Sequence, residues 1–171
     1  MTTSPAAHEP PSIVERAAQP YAAFRSTVTM ATVDTVAHRI PEVFARLGAL
    51  GVAPAGPPFL KYNLIDMEGE LEIEAGVPVA EPVPASGDLL PGVLPGGRYA
   101  TFTHVGSPDR LVGATALLLD WAAAAGLRWD TTPSEEGERW GCRMESYRTD
   151  PREQPDTTKW ETDLFFRLAD G

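Results

Sequence analysis

Residues 98–126 read RYATFTHVGSPDRLVGATALLLDWAAAAG, and the order of elements in this stretch decides the fold class. Residues 98–105 are strand-like. Ser107 comes next as an N-cap, Pro108 sits at the first helical position, where its missing N–H is no loss, and Asp109 lies near the positive end of the helix dipole. Leu111, Ala114, Leu118, Trp121 and Ala125 then recur at helical spacing until Gly126 stops the pattern. A strand feeding directly into a capped helix is the start of an α+β unit. Downstream, residues 138–148 and 159–168 read as two strands joined by a turn-rich loop at 149–158.

The same order stands upstream. Residues 22–30 place Phe24, Ser26, Val28 and Met30 on one face and Arg25, Thr27 and Thr29 on the other, the period of a half-buried strand. Asp34 is placed to cap the next element, a helix. Val36, Ile40, Val43, Phe44, Leu47 and Leu50 keep helical spacing, and Pro41 predicts a helix that starts or kinks there, hence 41–50, closed by Gly51. Residues 59–65 and 70–79 are extended, with Leu71, Ile73 and Ala75 opposite a solvated acidic set, Glu70, Glu72 and Glu74. A Pro/Gly-rich tract, 80–97, connects the halves. Residues 1–20 have few apolar anchors and predict a loose arm ahead of a single domain over 21–171.

Two strand–helix–strand–strand units of this kind, about 21–80 and 97–170, predict an α+β fold of two pseudo-symmetric modules around a central ligand cleft. Each would bury one sheet face under its own helix and turn the other face toward the groove. Clefts between two halves suit small ligands, because they enclose a guest without distorting the scaffold.

Composition narrows the function. The 171 residues carry 24 acidic and 14 basic side chains, a formal charge of −10, which disfavours direct contact with nucleic acid or an anionic membrane surface. Cys142 is alone, so no intrachain disulfide forms, and with no signal-peptide order and no long apolar run a cytoplasmic protein is expected. His8, His38 and His104 lack metal-ligand spacing, so no metal is predicted. The connector glycines do not lead from a strand into a helix, and no nucleotide or other cofactor is implied. His104 reads as a structural hydrogen-bonder, Ser107 as a cap rather than a nucleophile, and Cys142 as buried packing.

Strand 138–148 separates by parity. Trp140, Cys142, Met144 and Ser146 are expected under the helix, while Arg139, Gly141, Arg143, Glu145 and Tyr147 point to the groove. A sheltered carboxylate beside an aromatic ring suits a cationic, apolar guest. The competing reading pairs Glu145 with Arg143 on a solvated strand. Trp160 opens the last strand, where parity sends it toward the core and a bulged strand start would make it a cleft wall. Phe59 and Tyr62 lie on opposite faces of their strand, and either could line a pocket.

Several segments together resemble the GyrI-like small-molecule-binding family, the effector-binding domain of bacterial multidrug-sensing transcription activators. They are Gly56-Pro57-Pro58-Phe59-Leu60-Lys61-Tyr62, Glu74-Ala75-Gly76-Val77-Pro78-Val79, Leu94-Pro95-Gly96-Gly97-Arg98-Tyr99-Ala100, His104-Val105-Gly106, and Glu145-Ser146-Tyr147 followed by Asp150-Pro151. The resemblance spans about residues 22–168. It departs at the end, where relatives commonly read Glu-Ile-x-Ile-Pro and this chain has Asp163-Leu164-Phe165-Phe166-Arg167.

The resemblance implies paired modules around a pocket. Glu145 would anchor lipophilic cations, and Tyr62, Tyr147, Trp140 and Trp160 would form the aromatic wall. It further implies a stand-alone binder acting in drug sequestration or resistance. Two alternatives accompany it: hydrolysis of strained cyclopropane-bearing alkylators, with Glu145 as general base and Tyr147 polarising the oxyanion, and a gyrase-inhibiting protein contact.

Overall fold

The computed structural model describes residues 10–66 and 68–169. Ten strands form one antiparallel sheet: β1 (Ser12–Arg16), β2 (Gln19–Val28), β3 (Phe59–Ile65), β4 (Leu71–Pro78), β5 (Leu90–Leu94), β6 (Gly97–Val105), β7 (Thr131–Ser134), β8 (Gly137–Trp140), β9 (Arg143–Tyr147) and β10 (Glu161–Arg167). Three helices accompany them: α1 (Asp34–Ala37), α2 (Ile40–Ala49) and α3 (Leu111–Ala124). The strand order is β1-β6-β10-β9-β3-β4-β2-β5, with the β7–β8 hairpin attached to β3.

The helices begin and end where local chemistry directs. Ser107 accepts a hydrogen bond from the Asp109 N–H at 3.3 Å, capping the 3-10 turn Pro108–Arg110 that leads into α3. Pro41 occupies the first turn of α2, where no intrahelical N–H bond is forfeited. Gly51 and Gly126 follow α2 and α3 with φ of 72°, the left-handed position that glycine fills without a Cβ clash. Asp34 departs from expectation. It is the first residue of α1, and neither it nor Val33 supplies a side-chain cap.

All three helices lie on one face of the sheet. Ala22 and Phe24 of β2, Val77 of β4 and Val79 just beyond it pack with Val43 and Leu47 of α2. Next to them, Leu60, Leu71, Ile73 and Ala75 pack with Val36 of α1. At the other side of the sheet, Ala100, Phe102, Leu164, Phe166 and Leu168 pack with Leu111, Ala114 and Leu118 of α3. A fully buried Leu or Phe contributes about 2 kcal/mol, so these clusters pin each helix to its own set of strands.

The opposite face is folded on itself. Tyr21, Ala23, Phe59, Leu94, Tyr99 and Met144, from β2, β3, β5, β6 and β9, form one buried cluster with Cys142, which directly precedes β9. Members from such distant strands can touch only if the sheet curls. Its two edges meet at the short β1–β2 and β5–β6 connections: a Cβ built at Gly96 would stand 3.2 Å from the Ala18 nitrogen and 3.3 Å from the Arg16 carbonyl oxygen. Glycine at position 96 permits that approach.

Four expectations need correction. Residues 12–16 are not a loose arm: they form β1 and pair with β6, because Ser12–Arg16 completes an edge that would otherwise be open; residues 1–9 lie outside the described part. Residues 80–97 are not only a connector, since Leu90–Leu94 pairs with β2 and Val83 and Leu89 enter the α2-side core.

The acidic set 70–74 is not uniformly solvated. Glu74 is 4% exposed, accepts hydrogen bonds from Tyr21 Oη (2.7 Å) and Asn63 Nδ2 (2.6 Å), and lies 3.7 Å from the Lys61 ammonium. Curling covers this face, which strand periodicity alone leaves open to water. Finally, the two units do not oppose bare sheet faces across a groove. They share one sheet, joined where β3 pairs with β9.

Candidate functional site

Register places the site. Leu60 of β3 and Leu164 of β10 are the Cα partners of Glu145 on either side, and both belong to the helix-side clusters. Glu145 therefore points to the helix-bearing face from β9, a middle strand. On one side α1 and α2 cover β2 and β4, and on the other α3 covers β6. Arg143 and Tyr147 share the Glu145 face by the two-residue period of a strand, and Tyr62, paired with Ile73, shares it from β3. Tyr147 packs against both the α1-side and the α3-side clusters, so it marks the floor between the helices.

Strand parity is broken once, at Gly141. Trp140 ends β8 and packs under α3 as expected, but Cys142 and Met144 lie in the opposite-face cluster. The break comes from Asp130: its carbonyl accepts the Gly141 N–H at 2.9 Å, and its carboxylate fills the space a Cβ at 141 would need. Glu145 and Tyr147 consequently share their face with the helices instead of lying opposite to them.

The carboxylate is held by hydroxyls. Tyr147 Oη donates to Glu145 Oε1 at 2.9 Å, and the Tyr62 hydroxyl faces the same group as a second donor. Glu145, Tyr62 and Tyr147 are all half-buried. Desolvation pushes the Glu145 carboxyl above its usual value, and the two tyrosine hydroxyls and the Arg143 charge only partly offset this. The same burial, reinforced by the neighbouring carboxylate, raises the hydroxyl pKa of Tyr62 and of Tyr147. Both therefore stay protonated and able to donate.

Arg143 does not lock Glu145. Among the described residues no ion pair joins them. The guanidinium lies over the rings of Phe166 (4.5 Å to the centroid) and Trp140 (4.9 Å), and burial lowers its pKa. The solvated Glu145–Arg143 pair is thus replaced by a carboxylate with hydroxyl partners and a cation stacked on aromatics.

The remaining predicted residues separate into two groups. Trp140 is 6% exposed, donates its indole N–H to Glu138 Oε1 at 2.9 Å, and forms an aromatic cluster with Trp129 and Phe166 at centroid distances of 5.6 Å. It backs the site through Arg143. Trp160 precedes β10, donates its indole N–H to the Gln154 carbonyl at 2.6 Å and accepts the Gly106 N–H at 2.8 Å. Those bonds tie it to the loop that precedes β10. Phe59 faces the opposite side, edge-on to Tyr21 at 5.3 Å. Cys142 is fully buried, and burial raises its thiol pKa. His104 Nε2 bonds the Ser107 carbonyl at 3.0 Å, a structural contact.

Trp129 was missed by sequence reasoning. It sits in a turn-rich stretch with no period to read, and its bridge to Leu168 brings it to the aromatic cluster. Among the described residues no helix is long and apolar enough to cross a membrane.

Comparison with known proteins places this geometry in context. The chain superposes on the EcmrR C-terminal domain with a TM-score of 0.73 at 16% identity, covering 96% of this chain and 99% of that one. It also matches the EcmrR chain of a DNA complex with RPo at 0.74 and 17%, over 94% of this chain but only 57% of that longer one. SAV2435 bound to tetraphenylphosphonium matches at 0.64 and 10%, covering 94% of each chain. A hydrolase from Listeria innocua matches at 0.57 and 14%, over 94% of this chain and 92% of that one. At such identities these likenesses establish the fold. No curated protein sequence matches the chain. The sequence profile of the GyrI-like small molecule binding domain matches residues 9–169, and the chain belongs to the GyrI-like small-molecule-binding family.

Proposed function

We propose that this chain captures lipophilic, preferably cationic molecules in the cleft between α1/α2 and α3, with Glu145 as countercharge and Tyr62 and Tyr147 as the ring surfaces. The cleft then lies between two pseudo-symmetric strand–helix–strand–strand modules, Arg143 and Trp140 back it, and Trp160 stands at its rim. One observation carries the reading: a carboxylate on a middle strand, raised in pKa by burial and held by tyrosine hydroxyls rather than by an ion pair. Sheltering an unpaired carboxylate is costly. An entering cation offsets that cost, and a neutral guest does not. The tetraphenylphosphonium-bound neighbour SAV2435 supports the reading. Sequestration of toxic compounds is the corresponding cellular role.

The direct test is titration with tetraphenylphosphonium and with neutral triphenylmethanol, followed by intrinsic fluorescence. Preferential, saturable binding of the cation is expected, and equal affinity for both ends the countercharge reading. Incubation with a cyclopropane-bearing alkylator separates binding from catalysis. A hydrated product in the mass spectrum, lost in Glu145→Gln, would reassign Glu145 as a general base acting on water.

A further inference from the structure

Helix α3 is apolar around its whole circumference. Its fourteen residues carry a single charged side chain, Asp120. Leu111, Ala114, Leu118 and Ala122 face the sheet and are buried, yet on the far side Val112 is 78% and Leu117 46% exposed. A helix without a polar face is ordinarily covered on both sides. At 3.6 residues per turn, Gly113, Ala116, Leu117 and Asp120 share one outward stripe, with Arg110 at its N-terminal end. A Cβ at Gly113 would meet no atom within 4 Å. Beside it lies a depression of about 430 Å³ lined by Phe102, His104, Arg110, Gly113, Ala114 and Leu117.

We propose that this stripe is the interface of a symmetric dimer in which α3 docks antiparallel against α3 of a second copy. A two-fold axis sets one surface against itself, so residue i meets j and j meets i. With the axis near Thr115, Leu117 of each copy falls over Gly113 of the other and projects into the depression. The same operation brings Arg110 of each copy toward Asp120 of the other, since the two stand ten residues, about 15 Å, apart on their own helix. Neither takes part in an ion pair within its own chain among the described residues.

Charge also selects this face. Two chains of formal charge −10 repel over most of their surfaces. Along this stripe Arg110 offsets one of its two acidic neighbours, Asp109 and Asp120, and the rest is apolar. A single helix stripe buries less than the roughly 800 Å² per partner of a standard interface, so the dimer should form in the micromolar range and exchange.

Sedimentation velocity over about 5 to 500 µM tests the proposal. The wild type should pass from monomer to dimer across that range, and Leu117→Asp should remain monomeric. Arg110→Glu and Asp120→Arg should each weaken association about tenfold, as two exposed pairs are lost per dimer. The combined swap should recover to within about threefold of wild type. All of these positions are outward, so thermal melting of each variant should stay near wild type. A wild-type monomer at every concentration, a dimer indifferent to Leu117→Asp, or a double swap no stronger than the single ones would overturn the proposal.

Discussion

Replacing Glu145 by Gln keeps the size and planarity of the side chain while removing its charge. Tyr147 Oη, 2.9 Å from Oε1 in the native chain, can still donate to the amide oxygen, so the cleft should keep its shape. A cation seated against the tyrosine rings would stand about 5 Å from the carboxylate. At an effective dielectric of about 20 that separation corresponds to about 3 kcal/mol of attraction. The half-buried carboxylate is also reached by water, and Arg143 opposes any cationic guest, so about half of that attraction is expected to survive.

Glu145→Gln should therefore weaken tetraphenylphosphonium binding about 10- to 30-fold, a loss of about 1.4 to 2 kcal/mol. Triphenylmethanol should change less than about twofold, because it meets no charge in either form. Isothermal titration calorimetry of both ligands against both proteins makes the comparison. Parallel losses for the two ligands would refute the electrostatic argument and leave only a shape effect.

Burial raises the Glu145 pKa above that of an ordinary glutamate. For an acid shifted upward, the native state favours the protonated form, so the group's stabilising contribution is complete below the unfolded value and disappears as pH rises through the folded one. Glu145→Gln should accordingly melt higher than wild type at pH 7 by a few degrees, a gain of about 1 kcal/mol, and the advantage should vanish below about pH 4; a lower melting point for the variant at pH 7 would contradict it. Cation affinity should fall as pH drops through the raised value, with proton release on binding in that range, seen as buffer-dependent heats. Tyr147→Phe removes the closest donor to the carboxylate and should move the acidic limb of cation binding to higher pH, a shift absent if Tyr147 only packs. On the opposite face, Lys61→Met leaves Glu74 without its ammonium partner and should cost about 3 kcal/mol in urea denaturation, whereas a surface pair would cost under about 1 kcal/mol.

The elements were legible in the sequence wherever a local signal was complete. The Ser107-Pro108-Asp109 start and the glycines after α2 and α3 each depend on neighbours within a few residues, and they appear where chemistry puts them; of the expected α3 stripe Leu111, Ala114 and Leu118 are buried and Trp121 partly so, while Ala122 takes the buried place expected of Ala125, which is exposed. Glu145 and Tyr147 on one face of one strand follow from a period of two, and Tyr62 opposite Phe59 follows likewise.

What residues cannot state locally is which sheet face carries the helices, and there the reading failed. Gly141 breaks the parity of 138–148 because Asp130, eleven positions away, occupies its Cβ space. Glu74 looks like a solvated strand residue until the sheet curls and encloses it with Lys61, Asn63 and Tyr21. Strand periodicity assigned side chains to faces. Only tertiary contacts decided which face was covered, because burial is set by what the rest of the chain brings against it.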